Sequence, residues 1–246
     1  MQVITGNKFK ALAGGKIYFM SVDDLFERKL RPLTPYVLIS HEGDVPADEY
    51  TYVLSDPNLI HWYATNSGIK DGRVTAIPVG IEYRLPVKHD LLFNAILGIK
   101  QDRSHRVSTD CFALHTWVEE RQRCLKALER NGLKMDGRKD YSNYLLSLKK
   151  CMFVPCPIGN GIDTFRVWEA LYMGCVPIMT THINEQHIKV KQYEELFYHQ
   201  LPIYFIDSWD AFRLDDYTPE LYNSIMENSS LETLDFDYWK KLILSK

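Results

Sequence analysis

The residues best suited to chemistry lie in one stretch, Met152 to Met179, MFVPCPIGNGIDTFRVWEALYMGCVPIM. An apolar run enters a loop carrying Gly159 and Gly161, and the loop opens a segment of helical spacing. Asp163, Arg166 and Glu169 are three apart, so they share a face of that helix. Phe165, Trp168 and Tyr172 make the opposite, buried face, and Asp163 or Thr164 supplies the N-cap. A glycine loop at a helix N-terminus lets backbone N–H groups approach an anion closely. A cation one turn from the start suits a diphosphate. A carboxylate one turn further suits vicinal hydroxyls, as on a ribose. The same spacing also fits an amphipathic helix with a solvated Arg–Glu pair, and spacing alone does not decide between them.

A second group is His41, Glu42 and Asp44 in HEGD, directly after the apolar run YVLIS. Polar side chains at the carboxyl end of a buried strand stand where open α/β sheets place their chemistry. Any of the three could serve as a general base, and the alternative is a polar turn. His115 and Thr116 close another run, CFALHT; His115 is there either a functional group or a satisfied core histidine. Arg121 follows among Glu119, Glu120 and Arg123, where an exposed helical arginine is equally natural.

The elements that must position these groups alternate along the chain. KIYFM, YVLIS, LIHWYATN and RVTAIPVGIE read as strands. VDDLFERKL has helical spacing up to Pro32, and 48–54 is weakly helical. A polar stretch, KQDRSHRVSTD, reads as a linker. A second series follows: CFALHT as a strand, WVEERQRCLKALERNG as a helix stopped by Gly132, and YSNYLLSLKKC as a helix. MFVPCP, CVPIM and PIYFID read as strands. Residues 165–173 read as a helix closed by Gly174, 183–200 as a helix, and DFDYWKKLILSK as an amphipathic helix. Two βαβ series predict an α/β fold with two Rossmann-like lobes, parallel sheets and a cleft between them.

Composition limits the function classes. The 246 residues carry a net charge of −3, are 46% hydrophobic and contain 15 tyrosines. A slightly acidic chain argues against nucleic-acid partners. No apolar run reaches the ~18–20 residues of a membrane span, and the N-terminus lacks an apolar secretory core. The five cysteines have no CxxC pairing, which predicts free thiols in a reducing compartment and a soluble, cytoplasmic protein.

The segment GNGIDTFRVWEALYMGCVPIM resembles the donor-binding segment of GT-B-type glycosyltransferases, exostosin-like ones above all. Gly161, Arg166, Glu169-Ala170-Leu171 and Gly174-Cys175-Val176-Pro177 carry the pattern. YVLISHEGD, LIHWYATN, AIPVGIE, CFALHTWVEERQRCL, LPIYFIDSW and DYWKKLI are similar to exostosin-like segments in the same order, so the resemblance spans about 36–244. It implies transfer of a hexose or pentose from a nucleotide sugar to a hydroxyl of a glycan or glycoprotein acceptor. The expected donor is a UDP-sugar, with UDP-xylose the specific guess. By the resemblance Glu169 binds the ribose hydroxyls and Arg166 the diphosphate. Asn160, Gly161, Asp163 and Thr164 lie against phosphates or sugar, and Arg121, beside His115 and Thr116, adds a second cation. Inversion needs a base from the opposite lobe: Asp44 first, with Glu42 and His41 behind it.

The resemblance divides the chain into an acceptor-side lobe, 1–100, a nucleotide-sugar lobe, 101–234, and a terminal helix, 235–246, packing back on the first lobe. The chain shows neither the membrane anchor nor the second catalytic module of animal exostosins, which suits a compact microbial or large-virus version. No metal or other cofactor is expected. Two alternatives stand beside this reading. One is a non-catalytic nucleotide-sugar or glycan-binding module. The other is a metal-dependent GT-A glycosyltransferase using Asp235 and Asp237, whose position in a first helical turn the helix dipole alone explains.

Overall fold

A computed structural model describes residues 1–21, 24–25, 32–43, 45–81, 88–181 and 200–246. It is a mixed α/β structure with two four-stranded parallel sheets, compatible with a Rossmann-like arrangement. The first sheet contains β1 (Ile17–Ser21), β2 (Tyr36–His41), β3 (Leu59–Ala64) and β4 (Val74–Ala76) in that order. The second contains β5 (His105–Val107), β6 (Cys151–Pro155), β7 (Val176–Thr180) and β8 (Tyr204–Ile206), again in chain order.

Every residue of β2 is buried, as expected of an unbroken apolar run covered on both faces. Strand alternation sorts the side chains. Val37, Ile39 and Tyr63 enter one core cluster, and Leu38, Trp62 and Ala64 enter another on the opposite face. The helices that lie fully among the described residues are α1 (Gly6–Lys10), α2 (Lys88–Leu97), α3 (Val118–Arg130), α4 (Tyr141–Leu148), α5 (Phe165–Tyr172), α6 (Pro219–Glu227) and α7 (Phe236–Leu244). Gly174 ends α5 at φ 74°, the left-handed conformation its C-cap position requires.

Two sequence expectations need correction. The second sheet does not begin at Cys111–Thr116, which forms no strand; it begins at His105–Val107, inside the presumed linker. That strand is at a sheet edge and buries only Val107, so its polar composition concealed it. The same stretch supplies Arg103, whose guanidinium donates to the carbonyls of Lys149, Cys151 and Met173 beneath the second sheet. Residues 47–55 form a 3₁₀ helix interrupted at Tyr50, in keeping with the weakly helical reading of 48–54. The helices expected over 22–30 and 183–200 fall almost wholly outside the described residues.

The two sheets share one core. A single cluster joins Val37, Ile39 and Tyr63 of the first sheet to Val154 of the second through Phe9, Phe93, Trp168 and Tyr172. Polar ties cross the same boundary. The Tyr172 hydroxyl accepts from the Ile4 amide at 2.8 Å and donates to the Leu234 carbonyl at 2.7 Å. Helix α7 lies against the first sheet, where the Tyr63 hydroxyl donates to the Leu242 carbonyl at 3.1 Å. Phe236 meets Phe9 edge-on, with ring centres 5.2 Å apart. All five cysteines are free, four of them buried. Among the described residues no helix is long and apolar enough to cross a membrane.

Gly80 is the tightest point of the N-terminal docking. Its φ is 72°, and an added Cβ would collide with the carbonyl of Ile4, which accepts the Ile81 amide at 3.0 Å. Left-handed strain and forced backbone displacement together predict that Gly80→Ala loses about 2–4 kcal/mol, measured by urea unfolding. A loss under 0.5 kcal/mol would show that the N-terminal segment is not seated as described.

Candidate active site

A cavity of about 700 Å³ opens beside the carboxyl ends of β5 and β6 and the first turn of α5. Four cations stand on its wall: Arg121, Arg138, Lys139 and Arg166. Two carboxylates, Asp110 and Glu169, share it with the aromatic rings of Phe112, Tyr141, Tyr144 and Phe165.

Arg166 sits deepest in its connections. Its Nε donates to the Pro155 carbonyl at 2.9 Å, at the end of β6. Its two Nη groups donate to the carbonyls of Asp110 at 2.9 Å and Cys111 at 3.3 Å, just past β5. The rings of Phe112 and Tyr144 each lie 5.6 Å from the guanidinium carbon. Burial works against its charge, but the surrounding Tyr144, Cys156, Asp110 and Glu169 outweigh that and raise its pKa further. Arg121 is tied likewise, to the carbonyls of Ile158 at 2.7 Å and Ala113 at 2.5 Å. Burial and then the neighbouring Arg166 lower its pKa.

Glu169 is 6% exposed and both of its oxygens are engaged. The Tyr141 hydroxyl donates to Oε1 at 2.9 Å and the Tyr144 hydroxyl to Oε2 at 3.1 Å. Asp110 accepts from Ser108, from Ser147 and from the Lys139 ammonium at 2.6 Å. Burial opposes the charge of Lys139, but Asp110 and Asp136 overcome it and raise its pKa. Thr164 Oγ1 is buried with no partner among the described residues, an unmade hydrogen bond on the cavity wall.

Of the residues selected from sequence, His115, Arg121, Thr164, Arg166 and Glu169 converge on this cavity. Thr116, Asn160, Gly161 and Asp163 are not on its wall. Asp163 accepts from the Val79 amide at 2.7 Å and the Trp168 indole at 2.6 Å, joining the two halves of the chain. Thr164 holds the N-cap position of α5 without a side-chain cap bond, so neither proposed residue caps it through its side chain. Gly161 leaves room for Asn66, and Gly159 for Arg121 and Thr164; a side chain at either would run into those groups. The alternative of a solvated Arg–Glu face does not hold, since α5 is buried from Val167 to Tyr172, and Phe165, expected on the buried face, lines the cavity.

The HEGD loop approaches the glycine loop through Asn66, which accepts from the Asp163 amide at 3.2 Å and donates to the Gly43 carbonyl at 3.4 Å. His41 is fully buried there. Its Nδ1 accepts from the Glu42 amide at 2.9 Å, and its Nε2 lies 3.2 Å from the Pro78 carbonyl. Burial lowers its pKa to about 4, so it is neutral and weakly basic at pH 7. Glu42 holds a left-handed backbone, φ 63°. Asp44 lies outside the described residues. Asp235 caps α7, accepting from the Asp237 amide at 3.2 Å and the Gln2 amide at 2.9 Å. Among the described residues no group of three or more His, Cys, Asp and Glu could hold a metal ion.

A family model, the RXYLT1 C-terminal domain, matches residues 95–234, which include every residue on the cavity wall. The chain belongs to the RXYLT1 C-terminal domain family. This family is exostosin-like and of the xyloside xylosyltransferase type, so it implies a glycosyltransferase with a sugar donor and a glycan acceptor. Compared directly, no curated protein sequence matches the chain.

Within this RXYLT1-type segment, sequence reasoning missed Asp110, Phe112, Arg138, Lys139, Tyr141 and Tyr144. A signal existed for the last four. Arg138 and Lys139 precede the N-cap Asp140, and Tyr141 and Tyr144 are three apart on the helix that follows.

The buried His41 gives a pH signature. Its folded pKa is depressed from 6.5 to about 4, so the unfolded chain takes up a proton first as pH falls. The associated stability is present above pH 6.5 and is lost progressively below it. Between pH 7 and pH 5 the parent should lose about 2 kcal/mol more than His41→Asn, read from urea unfolding at both pH values. Equal losses would mean that His41 is not buried in its neutral form.

Proposed function

We propose that this chain transfers a sugar, xylose being the first choice, from a UDP-sugar to a hydroxyl of a glycan acceptor, with inversion and without a metal ion. The observation that carries the reading is the cavity, where four cations and a helix N-terminus stand beside a carboxylate within the segment matched by the family. Cleaving a sugar–phosphate bond builds negative charge on the departing diphosphate. Prepositioned cations and N–H dipoles stabilise that charge, and one such donor is often worth about 3 kcal/mol. Arg166 and Arg121 are already fixed by backbone carbonyls, so they need little reorganisation when the charge develops. The Thr164 hydroxyl is one further donor for a phosphate oxygen. Glu169 takes the ribose hydroxyls, and an aromatic wall containing Phe112 and Tyr141 accommodates the base. In this reading the two sheets form a compact GT-B arrangement.

A panel of nucleotide sugars in thermal shift, followed by transfer assays, tests this. UDP-xylose at 100 times its Kd should contribute about 2.7 kcal/mol of stability. Transfer should continue in EDTA. Loss of transfer restored by Mn²⁺ would overturn the metal-free assignment. Binding without turnover on any hydroxyl acceptor would favour a non-catalytic module.

The acceptor hydroxyl must lose a proton, and the HEGD loop supplies the base, Asp44 before Glu42. Asn is nearly isosteric with Asp but takes no proton at neutral pH. Asp44→Asn should therefore lower turnover ~10²–10⁴-fold with UDP affinity unchanged. Turnover near the parent's in Asp44→Asn would move the base to Glu42 or elsewhere. NMR of the product's anomeric configuration independently decides between inversion and retention.

A further inference from the structure

We propose that the cations of the cavity divide by what holds them: Arg121 and Arg166 meet the diphosphate, whereas Lys139, balanced by Asp110 and Asp136, donates to a hydroxyl of the transferred sugar, with Asp110 as its positioning residue. The inference deepens the nucleotide-sugar reading and rests on it.

The two arginines are held by neutral groups. Arg166 donates to the carbonyls of Pro155, Asp110 and Cys111, and Arg121 to those of Ile158 and Ala113. Neither makes an ion pair among the described residues. Carbonyl dipoles satisfy N–H groups without cancelling a full charge, so both side chains still attract an anion. Lys139 is held by carboxylates instead. Its ammonium donates to Asp110 Oδ1 at 2.6 Å and to Asp136 Oδ2 at 2.8 Å. Burial opposes its charge, but the two carboxylates prevail and raise its pKa, so it remains an ammonium with three N–H donors. Two of these donors are committed, and the third is uncommitted among the described residues, on a side chain that lines the cavity. One ammonium with two carboxylates is net negative, which disfavours a phosphate beside it. The arrangement suits a neutral ligand whose hydroxyl oxygen accepts from the third N–H.

Asp110 joins the two subsites. It is 3% exposed. Its carbonyl accepts from Arg166 at 2.9 Å, and its carboxylate accepts from Lys139. The Ser108 hydroxyl donates to Oδ2 at 2.9 Å, and Ser147 Oγ lies 2.7 Å from Oδ1 and 2.8 Å from Oδ2, so the carboxylate is fixed in direction. One residue thus sets the separation between a phosphate-side cation and a hydroxyl-side ammonium. A nucleotide sugar requires that adjacency, because a single oxygen joins the sugar to the terminal phosphate. The charge balance also suits the reaction. As the sugar–oxygen bond breaks, positive charge grows on the sugar, and a balanced ammonium opposes that growth less than a bare one.

Calorimetry with inorganic pyrophosphate, UDP and UDP-xylose tests this on the parent, Lys139→Met, Arg121→Gln, Asp110→Asn and the double variant of Asp110→Asn with Lys139→Met. Lys139→Met should change pyrophosphate affinity less than about twofold, and Arg121→Gln should lower it about tenfold. Lys139→Met should lower UDP-xylose affinity relative to UDP by about tenfold, the effect of one charged hydrogen bond. Asp110→Asn should lower the same ratio without weakening pyrophosphate, and the double variant should fall no further than Lys139→Met, as expected of a residue acting through another. Lys139 is partly exposed, so Lys139→Met keeps the test decisive if Asp110→Asn does not fold. A pyrophosphate loss in Lys139→Met as large as that in Arg121→Gln would make Lys139 a phosphate ligand and overturn the division, with the nucleotide-sugar reading intact. An unchanged ratio of UDP-xylose to UDP affinity in Lys139→Met would overturn it equally. A further fall in the double variant would remove Asp110 from the positioning role. A parent that binds neither pyrophosphate nor UDP would overturn the nucleotide-sugar reading itself.

Discussion

The guanidinium of Arg166 joins three backbone carbonyls: Pro155 at the end of β6, and Asp110 and Cys111 beyond β5. Parallel strands that end side by side must diverge, and each carbonyl left behind needs a donor. A planar fork with five N–H groups reaches all three, which a single ammonium does not do with the same geometry. The cost of burying the charge is offset by those dipoles, by two aromatic faces and by nearby acidic groups. The positive charge proposed to meet a diphosphate is therefore the same charge that bridges these three carbonyls. Glu169 follows one turn along α5.

Asp163 plays the matching part between the two halves. Its carboxylate and amide connect the glycine loop to Val79 and Asn66, and Asn66 in turn holds the carbonyl of Gly43. The loop proposed to carry the base is thus tied through two residues to the loop that starts α5. Gly161 makes this possible by leaving space for Asn66. The glycines of GNGID serve a close approach, and what approaches is the protein itself.

Much of this was legible in the sequence where one physical cause dominated. Unbroken apolar runs gave the buried strands β2, β6 and β7, and helical spacing with a terminal glycine gave α3 and α5. Arg166 and Glu169 were legible because the loop–helix pattern around them resembles a known donor segment. Illegible elements were those whose partners lie far along the chain. β5 has three residues and only one buried side chain, so its pairing with β6 leaves no mark in local hydropathy. Tyr141 and Tyr144 read as ordinary helix residues until α4 is set against α5. Asp163 looked like a phosphate-side cap because its partners, Val79 and Trp168, are disclosed only by the fold. The cavity is built entirely inside the 95–234 span of the family match.

The core cluster common to both sheets has a mechanical consequence. Two bodies that rock about a hinge need a boundary that can be wetted and dried at little cost. Here the boundary contains Phe9, Phe93, Trp168 and Tyr172, and opening it would expose these large rings to water. The shared core therefore couples the two halves against separation. A ligand bound in the cavity beside the second sheet would, through that core, also stabilise the first.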